Sequence, residues 1–396
     1  MIGLIREAAK RIRGVIEPTP LILSASFSRF FGFDCYLKLE NLQKTGSFKV
    51  RGAYNRISSL GEEEKKRGVV TASSGNHAQG VAWAAALIGV RAVVVMPETS
   101  AIIKHVATRS YGAEVILKGS DFGEAYDGAL RVVEKGGLTF IPPYDDELIM
   151  AGQGTIGLEI IEDLPGVDTV IAPVGGGGLI SGIAAAVKET VGEVRVIGVE
   201  AFNSATCSAS LKAGRPVEVD AKPTIADGIA VKSVGEKTLP VIKRYVDGVV
   251  AVKEESIAGG ILKFIERKKL VVEGAGAVPL AAAMEGGLPS GVKKAVFIVS
   301  GGNIDVTTLD RVLRLGLIKE GRVIRIETVV PDVPGALSRL SAEVAALKAN
   351  ILHIFHKRDA AEVPVGTACI EMLLEVEGPE HAGRVRARLK EKGYEL

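Results

Sequence analysis

A lysine, Lys49, stands just inside a segment opened by Thr45-Gly46-Ser47, next to Phe48 and beside an apolar stripe. The spacing of Val50, Ala53, Tyr54, Ile57 and Leu60 predicts a helix from Ser47 to Leu60, with Ser47 as its cap. A cation is disfavoured near a helix N-terminus, so this amine should lose its proton more easily than a surface lysine. A neutral amine can form a Schiff base with a carbonyl. Most helical lysines are only solvated charges, as most phenylalanines are only core, so the surroundings must decide. Three small-residue turns supply them: Ser73-Ser74-Gly75-Asn76-His77, Gly175-Gly176-Gly177-Gly178 and Ser300-Gly301-Gly302-Asn303. Each follows a predicted strand and precedes helical sequence. In a parallel α/β sheet such turns lie at the carboxyl ends of strands, where ligands bind. Helix-opening amides there suit an anion, and four consecutive glycines suit a phosphate dianion.

The glycine quartet matches neither common nucleotide motif. No Lys-Ser/Thr pair follows Gly178, and the G-x-G-x-x-G spacing with its later acidic residue is missing. The expected ligand is therefore a phosphorylated cofactor that is not a nucleotide.

The elements that must position these turns can be read to about residue 320. Val69–Thr71, Ala92–Met96, Val115–Leu117, Thr169–Ile171, Val196–Val199 and Ala295–Val299 are short apolar runs rich in β-branched residues. Strands covered on both faces by helices read this way, which predicts a mostly parallel α/β architecture. From about 321 the style changes. Val323 to Val330 alternates, with Ile324, Ile326, Thr328 and Val330 on one face. A helix is expected from Pro334 to Ala349, with Leu337, Leu340, Val344 and Leu347 inward and Asn350 as its stop. Strands at Ile351–Lys357 and Thr367–Val376 and a helix at Pro379–Lys392 follow. This β-α-β-β-α order is a ferredoxin-like unit without its last strand.

Composition sets outer limits. Glycine accounts for 47 of 396 residues, and aromatics for only 5%. With 49 Lys+Arg against 47 Asp+Glu, a net charge of +2, neither nucleic acid nor a membrane is expected as partner. Cys35, Cys207 and Cys369 have no metal-ligand spacing and read as reduced thiols. The first twenty residues lack the pattern of a signal peptide, and the apolar run Val81–Val90 is too short to span a bilayer. A cytoplasmic protein is expected.

Taken together, Ser47-Phe48-Lys49-Val50-Arg51-Gly52-Ala53, the three turns, the leader Leu37 to Gly46 and Glu17-Pro18-Thr19-Pro20-Leu21 resemble the fold-type II pyridoxal phosphate enzymes. Within that group the chain looks most like threonine dehydratases (threonine ammonia-lyases), with serine dehydratases and serine racemases as near relatives. The resemblance implies a tryptophan synthase β-like catalytic domain over 1–320, with a smaller subdomain at roughly 44–150. It implies that Lys49 carries the cofactor and that Phe48 packs beside the ring. Gly175, Gly176, Gly177, Gly178 and the Leu179 amide would hold the 5′-phosphate. Asn76 would face the ring hydroxyl and Ser300 the pyridine nitrogen. Ser73, Ser74, Gly75, Asn76 and His77 would bind the substrate carboxylate, and Ser74 would be a minor acid/base.

A neutral serine at position 300 suits β-elimination better than transamination. The implied course has the amino acid displace Lys49, which then removes the α-proton. The β-hydroxyl leaves, and the product hydrolyses to a 2-oxo acid and ammonia. The alternatives are serine dehydration or racemisation on the same scaffold, and a non-catalytic amino-acid sensor.

Other segments carry weaker resemblances. Glu200 matches one ligand of a cation site in some relatives, but Thr206 stands where they have an acid. No divalent metal is therefore expected, and a monovalent cation stays open. Glu273-Gly274-Ala275-Gly276-Ala277 matches a segment near the ring, where Glu273 is either functional or structural. The module 321–396 resembles ACT domains through Asp332-Val333-Pro334-Gly335-Ala336-Leu337 and Asn350-Ile351. The resemblance implies an effector site on Asp332, Gly335, Ala336, Leu337, Asn350 and Ile351 for an amino acid such as isoleucine or valine, and a homodimer or homotetramer.

Overall fold

The computed structural model describes residues 1–100, 102–358 and 363–396. The chain divides into two compact units, Met1–Val306 and Thr307–Leu396. The second unit thus begins at Thr307, ahead of the change of pattern at 321, because most of the helix Val306–Lys319 groups with it.

The strands of the first unit are β1 (Leu21–Leu23), β2 (Asp34–Leu39), β3 (Val69–Ala72), β4 (Ala92–Met96), β5 (Glu114–Leu117), β6 (Thr139–Phe140), β7 (Thr169–Pro173), β8 (Arg195–Ala201), β9 (Gly248–Val252) and β10 (Lys294–Val299). They form two sheets. The smaller has the order β5-β4-β3-β6 and is parallel throughout. The larger has the order β1-β2-β10-β7-β8-β9, and only its edge strand β1 runs antiparallel. Every residue of β3, β4 and β7 is buried, as helices on both faces require. All six apolar runs seen in the sequence are strands. Because the sheets are parallel around β3, β7 and β10, the three small-residue turns emerge at carboxyl strand ends.

The lysine-bearing helix runs Lys49–Ser58, not Ser47 to Leu60. Phe48 occupies its N-cap position, and Ser47 is extended at φ −161°. Ser47 pairs as an antiparallel bridge with Gly301, which commits its backbone to a strand-like path and leaves its buried hydroxyl without a partner. The helix is anchored instead by charge. Arg51, fully buried, donates to both oxygens of Glu40 at 2.8 Å each, and to Glu159 of the helix Glu147–Asp163. Lys38 of β2, also fully buried, pairs with Glu159 at 2.6 Å and donates to the Thr19 carbonyl. Two cations and two carboxylates therefore neutralise one another under the helix, the condition on which charges tolerate burial.

The second unit has strands β11 (Val323–Pro331), β12 (Asn350–Lys357) and β13 (Thr367–Glu375) in an antiparallel sheet of order β11-β13-β12. Its core joins Ile324, Ile326, Ile370, Met372 and Leu374 to the helices Ala336–Ala346 and Pro379–Glu391. The alternation in β11 is as expected: Ile324, Ile326, Thr328 and Val330 are buried, and Arg325, Glu327 and Val329 are exposed. The first helix is shorter than expected at both ends. Gly335, at φ +87°, holds the turn before it, so Pro334 lies outside. Lys348, at φ +60°, turns the chain away before Asn350, which already belongs to β12.

Candidate active site

The turn Thr45-Gly46-Ser47 makes the sharpest bend near the site. Thr45 has φ 60° and ψ 11°, a left-handed conformation rarely adopted by a β-branched residue. The turn packs against the one that follows β10. The Gly302 amide donates to the Gly46 carbonyl at 3.0 Å, and the Phe48 amide to the Ser300 carbonyl at 3.2 Å. Phe48 and Ser300 are both buried. Lys49 is thus set at the junction of the two sheets by backbone bonds on one side and the Arg51 ion pairs on the other.

The Lys49 Nζ donates to the Pro143 carbonyl at 2.9 Å and lies 5.1 Å from the centre of the Phe48 ring. Burial lowers its pKa from 10.5 to about 8, with Glu273 pulling the other way. The expected direction is found. The dominant cause is the packed protein around the amine.

Asn76 opens the helix Asn76–Ile88, whose first-turn amides have no partner within the helix. Its side chain is held at both ends. Nδ2 donates to Glu273 Oε1 at 2.8 Å, and Oδ1 accepts from Asn303 Nδ2 at 2.9 Å. Asn303 Nδ2 also donates to the Thr45 carbonyl at 2.6 Å. The first and third turns therefore meet through an Asn303–Asn76–Glu273 chain. Glu273 is buried, which raises its pKa from 4.5 to about 7. Its contact with Asn76 places it in the site. Ser73, Ser74 and Gly75 stay half-buried, and Ser73 Oγ accepts from the Gly75 amide at 3.3 Å. The His77 ring is turned inward: Nε2 bonds to the Ile141 carbonyl at 3.0 Å, and burial drives its pKa down to about 3. His77 can thus offer the cleft its amide but not its ring.

The glycine quartet ends β7 and opens the helix Gly178–Thr190. Its glycines are needed for contacts with protein. A methyl group on Gly175 would lie 2.9 Å from Ile229, one on Gly176 2.3 Å from the Tyr144 ring, and one on Gly178 2.9 Å from Tyr144. Gly177 has φ +95°. Neighbouring side chains press the turn from one side, and the amides that open the helix are left for an anion. Tyr144, Pro143 and Thr238, whose hydroxyl donates to the Gly176 carbonyl at 2.7 Å, are site residues that the motifs did not identify. The available signal is the proline pair Pro142-Pro143 just past β6, but β6 has only two residues, too few for a strand period to show.

Glu200 is a structural cap. Its oxygens accept from the Cys207 amide at 2.9 Å and the Ser208 amide at 3.1 Å, at the start of the helix Thr206–Ala213. Among the described residues no group of three or more His, Cys, Asp or Glu side chains converges as metal ligands would.

In the second unit, Asp332, Gly335, Ala336 and Leu337 line a cavity of about 310 Å³ together with His356 and Arg358. Asp332 accepts from Arg358 Nε at 2.9 and 3.1 Å, which lowers its pKa. Asn350 and Ile351 are not part of this cavity. They pair with Glu375 and Leu374 at the far end of β13, where Asn350 Nδ2 bonds to Glu375 at 3.1 Å and Ile351 packs on the core. The expected effector set is therefore split by the length of the sheet.

Among the described residues no helix is long and apolar enough to cross a membrane. Residues 12–301 match the family model for pyridoxal-phosphate dependent enzymes. The chain is 52% identical over 392 residues to L-threonine ammonia-lyase of Thermotoga maritima, covering 99% of this chain and 98% of that protein. It is 48% identical over 391 residues to L-threonine ammonia-lyase of Geobacter sulfurreducens, covering 99% and 97%. Among solved structures, processed threonine deaminase isoform 2 from Solanum lycopersicum superimposes with a TM-score of 0.76 at 38% identity, over 80% of this chain and 88% of that one. Maize serine racemase also gives 0.76, at 37% identity over 80% and 98%. A half-buried lysine whose amine bonds to the Pro143 carbonyl beside the turn after β10, and a sequence match over 99% of the chain, lead to one conclusion: the chain belongs to the pyridoxal-phosphate dependent enzymes.

Proposed function

We propose that the chain is a threonine ammonia-lyase that uses pyridoxal phosphate to convert L-threonine into 2-oxobutanoate and ammonia, and L-serine into pyruvate more slowly. The observation that carries this reading is the half-buried Lys49 amine, bonded to the Pro143 carbonyl, with its pKa lowered to about 8. Similarity to threonine ammonia-lyases over nearly the whole chain supports it.

The residues present fit the cofactor. The turn Gly175–Gly178 and the Leu179 amide form a cradle for a phosphate dianion. Phe48 lies beside Lys49, with its buried ring 5.1 Å from the amine. We assign Asn76 to the ring hydroxyl, because Glu273 and Asn303 fix its orientation, and neutral Ser300 to the pyridine nitrogen. When bound, pyridoxal phosphate supplies the electron sink for the pair left at the substrate Cα. Lys49 Nζ would hold the cofactor and, as a neutral amine, would take the α-proton; its lowered pKa makes the neutral base available near neutral pH. The amides of Ser73 to His77 bind the substrate carboxylate. The Ser74 hydroxyl serves as a weaker acid/base on the opposite face, and its accessibility keeps a serine racemase or serine dehydratase as the second reading.

The test is turnover of L-threonine, L-serine and D-serine by purified protein. Fastest formation of 2-oxobutanoate from L-threonine supports the first reading. Preference for L-serine, or interconversion of the serine enantiomers, selects the second. For the other unit we propose that the Asp332–Leu337 cavity takes an amino-acid effector, isoleucine or valine. The opposed charges of Asp332 and Arg358 match a zwitterion, and Val330 and Leu337 match an aliphatic chain. We also infer a cytoplasmic homodimer or homotetramer. Three free thiols, Cys35, Cys207 and Cys369, agree with a reducing compartment.

A further inference from the structure

The connection Pro143-Tyr144-Asp145-Asp146, between β6 and the helix Glu147–Asp163, touches every element that carries Lys49 or the glycine turn. The Pro143 carbonyl accepts from Lys49 Nζ at 2.9 Å. The Tyr144 side chain lies against the glycine turn, where a methyl group on Gly176 would come within 2.3 Å of its ring and one on Gly178 within 2.9 Å of its Cβ. The Asp145 carboxylate accepts from the amides of Glu236, Lys237 and Thr238 at 3.2, 2.8 and 3.3 Å, where the helix Thr238–Tyr245 begins. That helix supplies the Thr238 hydroxyl, which donates to the Gly176 carbonyl at 2.7 Å. Asp146 caps the next helix through the Leu148 and Ile149 amides at 2.8 and 3.0 Å, and accepts from Arg56 Nε at 3.2 Å on the Lys49 helix. The fit leaves no slack. A methyl group on Gly235 would come within 2.1 Å of Asp145.

We infer that this connection is a brace that sets the distance between the Lys49 amine and the phosphate-binding amides, with Tyr144 as a positioning residue for the phosphate end of the cofactor. Four consecutive residues fix the two attachment points of one rigid molecule. A shift of either point would strain the cofactor between its covalent and its ionic anchor. The ring does the positioning, since the Tyr144 hydroxyl makes only a 3.3 Å bond to the Ser233 carbonyl. The inference rests on the pyridoxal phosphate reading of the site.

The test titrates cofactor-free full-length protein with pyridoxal phosphate and, separately, with pyridoxal, read by visible absorbance. Pyridoxal engages Lys49 but not the cradle. In Tyr144→Ala, affinity for pyridoxal phosphate should fall about tenfold or more, because the phosphate-binding amides lose the ring that holds them in place. Affinity for pyridoxal should stay within about twofold, because that ligand makes no phosphate contacts. Tyr144→Phe, which loses one long hydrogen bond, should recover affinity to within about fivefold of the wild type. If Tyr144→Ala does not fold, Asp145→Asn should show the same selective loss. Equal losses for both ligands, or none, overturn the brace. A wild-type protein that captures neither ligand overturns the cofactor reading itself, and the brace with it.

Discussion

Lys49 and Glu273 are two residues of the site whose ordinary ionisation is altered by burial, in opposite directions. Lys49, with its pKa lowered from 10.5 to about 8, is protonated below that value and reactive above it. The rate at which cofactor-free protein captures pyridoxal phosphate should therefore rise with pH to a half-maximum near 8. A half-maximum near 10.5 would mean that the amine keeps the ordinary lysine pKa. Glu273 has its pKa raised from 4.5 to about 7 by burial, so between those values the folded protein binds the proton more tightly than the unfolded chain. By linkage, this carboxyl's stabilising contribution is complete below pH 4.5 and is lost as pH rises toward 7. Glu273→Gln should flatten that part of the stability profile, measured by the urea midpoint of cofactor-free protein at pH 5 and pH 7. An unchanged slope would move the responsible group elsewhere.

Among the elements, the starts of the Lys49 helix and of the helix Glu147–Asp163 contrast two kinds of cap residue. Ser47→Ala removes a buried hydroxyl without a partner and should leave stability unchanged or raise it. Asp146→Ala removes a side chain that accepts from two first-turn amides and should cost roughly 1 kcal/mol. A loss at Ser47 as large as that at Asp146 would restore Ser47 as a cap. Such details explain how far the sequence could be read. Strands buried on both faces, such as β4, announce themselves through uninterrupted β-branched residues. β2 does not, because Asp34-Cys35-Tyr36-Leu37-Lys38-Leu39 carries a lysine that looks solvated and is instead wholly buried against Glu159. β6 is too short for any period to show. Ser47 looked like a cap because its type favours that role; its bridge to Gly301, 254 positions away in the chain, could not be seen locally. Lys49, Asn76, Ser300 and the glycine quartet were legible because their chemistry is concentrated in short motifs. Tyr144 and Thr238 were not, because they matter only through contact with that quartet.

At the scale of the whole molecule, residues 1–306 and 307–396 are separate compact units, and the family match ends at residue 301, within the first. A chain ending at Val306 should keep at least about half of the threonine turnover and lose any response to isoleucine. Persistent isoleucine sensitivity in the shortened chain would place the effector site in the first unit. The account as a whole rests on one lysine, and reduction with borohydride tests it most directly. Protein saturated with pyridoxal phosphate is reduced, digested and mapped by mass spectrometry for the lysine that carries the cofactor. The predicted result is a single modified lysine, Lys49, with no label when L-threonine is added before reduction at a concentration that displaces it. Label fixed on another lysine, or no bound cofactor at all, would contradict the account.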